Sequence, residues 1–274
     1  MRRLVAIVVV ACGCHGSVDD DVAMPDAALP LAVGWSAPVE VTLDKPAGAF
    51  AADASFMEDQ SRVFYSITML GGSEYDIYEA TMTSPTMGGA RRAVLARPGV
   101  PESSPEVSPD GLVMYFLTLE GTMGRIDRIA RGGLTRPWGM ATTPADLNSA
   151  ADERPGNVDK PKTHIVIVRA DHLVELASSA GAWVEQMTTA ALPMGARDPQ
   201  LSSDALTLVY AAPDAGISTD LYVSVRDSVD MPWSIANKLD GVSDPEMPET
   251  DPWLASDGKR IYFARGATIY TSQR

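Results

Sequence analysis

The sequence predicts an all-β fold built from a repeated unit of about fifty residues. Two observations lead to this prediction. A strand–turn–strand pattern centred on Pro-Asp-Gly or Ser-Asp-Gly recurs along the chain, and the segment after each turn is rich in Val, Ile, Tyr and Phe. Such runs, bounded by turn residues, are typical of strands, and no segment shows the periodicity of an amphipathic helix.

The repeat is clearest in three copies, at 104–116, 198–210 and 251–263. Weaker copies begin at Asp53 and near Asp152. Each turn places an Asp where it can bond to its own backbone, and most place a Gly where φ is positive. Each copy therefore predicts two antiparallel strands joined by a tight turn.

Two further strands complete each unit. The third is predicted at 76–80, 125–129, 173–176, 220–224 and 268–271. The fourth opens with a tryptophan at 35–39, 138–141, 183–186 and 233–236, and lacks one at 93–95. We expect these tryptophans to pack between adjacent sheets, because their large apolar surface favours burial.

Four strands in each of five units indicate a β-propeller. The fifth unit reaches its third strand at the end of the sequence, while the Trp35 segment is a spare fourth strand. Pairing that segment with the last blade closes the ring and protects its open edge. The prediction is thus five blades; a sixth would have to lie within 84–101 or 139–160.

The Ser-Pro-Asp-Gly turn at 108–111, followed by a strand containing Tyr115 and Phe116, resembles the WD40-like (PD) repeat of TolB-type propellers of the bacterial envelope. The resemblance covers 35–274. It implies a propeller with an envelope location, and the related propellers commonly have six blades rather than the five counted here. A propeller fold by itself does not specify function.

Residues 1–11 have the charged start and apolar run of a secretory signal peptide. The sequence Val-Val-Ala-Cys at 9–12 resembles a bacterial lipobox, which implies lipidation of Cys12, with Cys14 as second choice. A plain cleaved signal is the alternative. The acidic segment 12–33 is predicted to be a flexible tether, and 34–274 the propeller domain.

Composition excludes several classes of protein. The formal net charge of -14 argues against nucleic-acid binding, which requires a basic surface. No apolar run is long enough to span a bilayer, so we expect membrane contact only through the lipid anchor. Both cysteines lie in the leader region, which leaves no cysteine for chemistry in the domain. We expect no cofactor and no metal.

In a propeller the innermost strands surround a central channel. The residues predicted to face it are carboxylates at or near the start of these strands: Asp53, Glu106, Asp152, Asp198 and Asp251. A ring of carboxylates would raise the pKa of some members or attract a cation. The alternative, which the repetition favours, is that these acids bond to neighbouring backbone.

These observations favour a non-catalytic binding or scaffold module, monomeric and exported to the periplasmic side or cell surface, with an envelope protein or glycan as partner. No catalytic residue is assigned. The alternative is a five-bladed glycoside hydrolase or glycan-binding protein. A hydrolase needs two carboxylates, which could be drawn from Asp53, Glu106 and Asp198. Common hydrolase and nucleotide-binding motifs do not occur.

Overall fold

The computed structural model describes residues 31–69, 71–72, 74–189, 192–214 and 218–274. The predicted signal peptide, Cys12, Cys14 and most of the predicted tether lie outside these ranges. In chain order the strands are β1 (Val39–Glu40), β2 (Ala49–Phe56), β3 (Arg62–Met69), β4 (Tyr75–Ser84), β5 (Met87–Gly88), β6 (Arg92–Leu95), β7 (Glu102–Val107), β8 (Val113–Glu120), β9 (Met123–Ala130), β10 (Glu153–Arg154), β11 (His164–Arg169), β12 (His172–Ser179), β13 (Ala182–Glu185), β14 (Arg197–Leu201), β15 (Thr207–Pro213), β16 (Thr219–Val225), β17 (Asn237–Lys238), β18 (Glu249–Leu254), β19 (Arg260–Arg265) and β20 (Thr268–Gln273).

These strands form five antiparallel sheets, which are the blades of a β-propeller. Blade 1 contains β2, β3, β4, β5 and β6; blade 2 contains β7, β8 and β9. Blade 3 runs from β10 to β13, blade 4 from β14 to β17, and blade 5 joins β18, β19 and β20 to β1. The all-β class and the count of five blades are confirmed.

The amino-terminal strand closes the ring. β1 pairs antiparallel with β20, with Val39 opposite Thr271 and Glu40 opposite Tyr270. Just upstream, the Ser36 amide donates a hydrogen bond of 2.7 Å to the Gln273 carbonyl. The outer edge of blade 5 is therefore covered by the segment that the sequence predicts for it, as the edge of a closed propeller requires.

The hydrophobic core is divided among the contacts between blades. Apolar clusters lie between blades 1 and 5, 4 and 5, 3 and 4, 2 and 3, and 1 and 2. At the closing contact, Phe56 of blade 1 stacks on Tyr262 of blade 5 at 4.0 Å between ring centroids. Because each sheet buries both faces against neighbours, the second strands are nearly continuous apolar runs.

Three outer strands differ from the prediction. In blade 5 the strand predicted at 35–39 is confined to Val39–Glu40. In blade 2 the fourth position is reduced to a single bridge between Thr142 and Arg128. In blade 4 the strand lies at Asn237–Lys238, after the predicted 233–236. Trp233 is instead turned inward and buried, and its indole nitrogen donates to Glu175 of blade 3 at 3.2 Å. Because Trp233 points inward, the outer strand of blade 4 begins only after it, at Asn237.

The propeller has two faces. We call the end at which the innermost strands begin the entry face, and the end at which they turn back the turn face. The innermost strands of all five blades run in the same direction around the channel, so each face collects the same kind of loop from every blade. Within the described ranges, no helix is both long and apolar enough to cross a membrane.

Candidate functional site

A β-bulge interrupts the innermost strand in four blades and re-aims one side chain. The pairing register shifts in β2, β7, β14 and β18. At each shift one residue has left-handed backbone, and these residues are Asp53 (φ 53°), Ser104 (φ 47°), Asp198 (φ 51°) and Asp251 (φ 51°). Asp tolerates this region better than most residues because its short polar side chain can bond locally.

Two of the three aspartates at these bulges, Asp53 and Asp198, bond to the next blade, whereas Asp251 accepts from Thr250 of its own blade at 2.7 Å. The Ser104 amide of blade 2 donates to Asp53 Oδ2 at 3.1 Å, and the Ser66 hydroxyl donates to the same oxygen at 2.9 Å. The Asp251 amide of blade 5 likewise bonds to the Asp198 carboxylate of blade 4. These carboxylates therefore satisfy backbone donors that would otherwise face the channel unpaired.

A second set of blade-to-blade bonds lies two residues further along. Here polar side chains of one blade accept hydrogen bonds from backbone amides of the next blade. The pairs are Val107 N to Ser55 Oγ (3.1 Å), Leu201 N to Asn157 Oδ1 (2.5 Å) and Leu254 N to Gln200 Oε1 (3.1 Å). Glu106 occupies the same position in blade 2 and accepts from the Ser55 hydroxyl at 3.4 Å.

Four carboxylates share the channel and disfavour one another's charge. Burial raises the pKa of Asp53, although the Ser104 and Ser66 hydrogen bonds oppose this effect. Burial, reinforced by the Asp198 charge, raises the pKa of Glu106 well above its usual range. Burial raises the pKa of Asp198 to about 6. For Asp251, burial and then the Asp198 and Asp53 charges place the pKa well above the usual value.

Two arginines moderate this repulsion. Arg154 of blade 3 lowers the pKa of both Asp53 and Asp198, against the larger effect of burial. Arg197, adjacent in sequence, has its Nε 3.7 Å from Asp198 Oδ2. Sequence reasoning missed Arg154, because the third copy of the repeat is the most degraded and its register was not recognisable.

The structure places Asp152 apart from the bulge aspartates. Its Oδ1 accepts from the Gly124 amide at 2.6 Å, at the start of β9 in blade 2. Its Oδ2 lies 3.4 Å from Nε of Arg154. The position equivalent to Asp53 and Asp198 in blade 3 is held by Pro155, three residues later, whose ring cannot adopt positive φ.

The turn face of the channel is closed by other residues. Trp253 packs against Phe56 with centroids 5.2 Å apart. Beyond them, Lys160 of blade 3 forms an ion pair of 2.7 Å with Glu58 of blade 1. A cavity of about 600 Å³ lies above this pair, lined mainly by turn residues of blades 4 and 5 and by Arg274. None of the four channel carboxylates lines this cavity.

The entry face exposes methionines around the channel. Met69 ends β3 directly opposite Ala49, the first residue of blade 1's innermost strand. Three other exposed methionines lie on this face: Met123 begins β9, and Met194 and Met247 precede β14 and β18. The four residues are between 42% and 74% exposed, so their side chains are available for contact with another molecule. Unbranched thioethers adapt to varied partner surfaces.

The described residues contain no group of three or more His, Cys, Asp or Glu side chains arranged to hold a metal ion. The four channel carboxylates are close enough to influence one another's pKa but are not arranged as a chelating set. The chemistry that this geometry permits is proton uptake, attraction of positive charge and hydrogen bonding to backbone.

No protein-family profile and no curated protein matches the sequence. Solved structures match in fold. The chain is 13% identical to TolB from Acinetobacter baumannii, with a TM-score of 0.54 over 82% of this chain and 54% of that one. It therefore spans about half the length of that TolB chain.

Glycoside hydrolases match equally well. The chain is 11% identical to the catalytic domain of an α-L-arabinofuranosidase from Coprinopsis cinerea, with a TM-score of 0.57 over 89% of this chain and 97% of that one. An α-L-arabinofuranosidase from Podospora anserina gives 10% identity and a TM-score of 0.56 over 86% and 94%. At these identities the likeness concerns the fold, and the molecule is a five-bladed β-propeller of a shape found in both groups.

Proposed function

We propose that this protein is an exported, lipid-anchored β-propeller that acts as a non-catalytic binding module of the bacterial envelope. The observation that carries the proposal is the use of the channel aspartates as links between blades. Asp53 and Asp198 each accept a backbone amide of the following blade. A catalytic carboxylate must instead present an oxygen to substrate, and such residues usually break the symmetry of a repeat.

The binding surface in this proposal is the entry face. Its exposed methionines lie on the same face as the opening of an acidic channel, so adaptable apolar side chains share that face with a centre that attracts positive charge. A protein partner with a basic side chain near apolar residues fits this surface. The alternative partner is an envelope glycan, which is disfavoured because no aromatic residue (Phe, Tyr or Trp) in the described part of the chain is exposed.

Site-specific photo-crosslinking tests the binding proposal. A benzophenone amino acid replaces Met123 or Met194 on the entry face, and Ser256 on the turn face in a matched control. After irradiation of cells, we expect one discrete crosslinked product from both entry-face positions and none from Ser256. Crosslinking of equal yield from both faces, or from neither, contradicts the proposal.

The anchor is tested separately by the intact mass of protein extracted from membranes after expression with its own leader. We expect a chain that starts at Cys12 and carries acyl groups. A chain that starts at Cys14 moves the site by two residues. An unmodified protein in the soluble fraction contradicts the anchor and leaves the binding proposal to the crosslinking result.

A glycoside hydrolase is the second candidate, and one observation favours it. Burial and the Asp198 charge raise the pKa of Glu106, and burial raises the pKa of Asp198 to about 6, as the general acid of a glycosidase requires. Hydrolysis of aryl α-L-arabinofuranosides and arabinoxylan distinguishes the two functions. Turnover by the wild type that is lost in Glu106→Gln, with the fold intact, supports the hydrolase.

A further inference from the structure

Two blade contacts contain the same arrangement of arginine and tryptophan. Arg131 follows β9 and stacks over Trp138, with the guanidinium carbon 4.2 Å from the ring centroid. Arg226 follows β16 and stacks over Trp233 at 4.1 Å. In both, Nε of the arginine donates at 2.8 Å to a turn carbonyl of its own blade. Each arginine then reaches a glutamate on the third strand of the preceding blade.

The contact between blades 3 and 4 is balanced. Both terminal nitrogens of Arg226 donate to Glu175, at 2.9 and 2.7 Å. Trp233 Nε1 and the Thr188 hydroxyl donate to the same carboxylate. The side chains of Arg226 and Glu175 are completely buried. One positive charge meets one negative charge, and the donors around them are satisfied.

The contact between blades 1 and 2 is not balanced. Three arginines share the single carboxylate of Glu79: Arg62 at 3.2 Å, Arg131 at 3.2 Å, and Arg92. Two buried donors of the described residues, Arg131 Nη2 and Trp138 Nε1, have no hydrogen-bond partner. The equivalent donors of the other contact are both bound to glutamate. Buried donors without acceptors are costly and rare.

The local charge is therefore two positive in a protein whose net charge is -14. Burial lowers the pKa of Arg131, and the neighbouring Arg62 and Arg92 charges lower it further against the opposing effect of Glu79. The side chain of Arg92 is 57% exposed and that of Arg62 26%, so solvent reaches this positive charge from outside the ring.

We propose that Arg62 and Arg92 bind a small divalent oxyanion, phosphate or sulfate, at the outer edge of the contact between blades 1 and 2. Guanidinium groups bind such oxygens in paired hydrogen bonds. The anion takes over Arg92 from Glu79. The carboxylate of Glu79, released from Arg92, then accepts from Arg131 Nη2 and Trp138 Nε1, as the carboxylate of Glu175 accepts from Arg226 Nη2 and Trp233 Nε1. Two negative charges cancel the two unbalanced positive ones.

The indole N–H signals of the five tryptophans provide the test. Uniformly ¹⁵N-labelled protein is titrated with sodium phosphate or sodium sulfate, with sodium chloride holding the ionic strength constant. Trp138→Phe and Trp233→Phe assign the two relevant signals. We expect the Trp138 signal to move in a saturable way and the Trp233 signal to stay in place, because only Trp138 gains an acceptor.

A matched pair of variants locates the anion. Arg92→Gln removes a proposed ligand, and Arg91→Gln removes the adjacent arginine, which pairs with Asp44 at 3.0 Å instead. We expect Arg92→Gln to weaken binding by about tenfold, the effect of losing one charge-assisted hydrogen bond. Arg91→Gln should leave the dissociation constant within about twofold, since only general screening changes.

Several outcomes overturn the proposal. They are the absence of a saturable shift, equal shifts of the Trp138 and Trp233 signals, and equal weakening by Arg91→Gln and Arg92→Gln. Sedimentation with phosphatidylglycerol vesicles identifies the source of the phosphate group. Binding to the vesicles that depends on Arg92, without a response to inorganic phosphate or sulfate, overturns the proposal of a free anion and assigns these residues to a lipid headgroup instead.

Discussion

Two contacts between blades share one arrangement of side chains but differ in charge balance: the contact between blades 3 and 4 and the contact between blades 1 and 2. Both hold a buried arginine stacked on tryptophan and aimed at a glutamate. Glu175 serves one arginine and is sealed, whereas Glu79 serves three, two of which reach solvent. The two copies of the repeat thus share the geometry of this contact but not its charge balance. We expect an anion to bind at the contact between blades 1 and 2, where positive charge is in excess.

The largest expected effect is a difference in the free energy of unfolding between variants of Arg226 and Arg131. Arg226→Met leaves Glu175 buried without a counter-charge and should lower the free energy of unfolding by about 3–5 kcal/mol. Arg131→Met leaves Glu79 paired with Arg62 and Arg92, so we expect a loss at least about 2 kcal/mol smaller. Urea denaturation measures both. Equal losses would show that the stacked arginine acts through packing alone.

An effect of intermediate size is expected from the channel carboxylates, which make the stability of the protein depend on pH. Its carboxylates have a raised pKa, near 6 for Asp198, and burial raises the pKa of Glu249 to about 7. The folded state therefore holds protons that the unfolded state releases above about pH 4. Stability should fall by on the order of 2 kcal/mol as pH rises from about 5 to about 8.

Thermal unfolding across this pH range tests the sign of that effect. The wild type should become more stable as pH falls towards about 5, and Asp198→Asn should flatten the curve because it removes one titrating group. A melting temperature that rises with pH over the same range contradicts the mutual repulsion of the channel carboxylates. Arg131→Met serves as a control, since its site lies outside the channel.

The smallest effect on the free energy of unfolding is expected from a substitution of Arg92. Its side chain is largely exposed, and Glu79 keeps Arg62 and Arg131 after its loss. We expect Arg92→Gln to change the free energy of unfolding by no more than about 0.5 kcal/mol at moderate salt. In phosphate buffer the wild type should gain stability that the variant does not. A loss comparable to that of Arg226→Met would show that Arg92 is part of the structural pairing.

The fold was largely predictable because its signals are local. Asp-Gly turns and apolar strands recur within each unit, and the spare segment at Trp35 indicates where the ring closes. The register of blade 3 was not predictable, because Asp152 resembles the bulge aspartates in sequence while Pro155 holds their position. The pattern Arg-x₅-Pro-Trp does occur twice, at 131–138 and 226–233, and would have indicated a repeated contact.

Pairs of residues that contact each other from different blades could not be predicted from the sequence. Glu79 and Arg131 are 52 residues apart, as are Ser55 and Val107. No local pattern reports such a pair, because the curvature of the ring decides which side chains meet. The acids were identifiable from the repeat, but their backbone partners and the unequal sharing of Glu79 depend on the packing of neighbouring blades.

The most direct test of the claim that channel aspartates join the blades is the free energy of unfolding of Asp53→Asn and Asp53→Gly at neutral pH. Both residues tolerate the left-handed backbone at this position, but only Asn keeps an acceptor for the Ser104 amide. We predict that Asp53→Asn is as stable as the wild type and that Asp53→Gly loses about 1–3 kcal/mol. Equal stability of the two variants would contradict the claim.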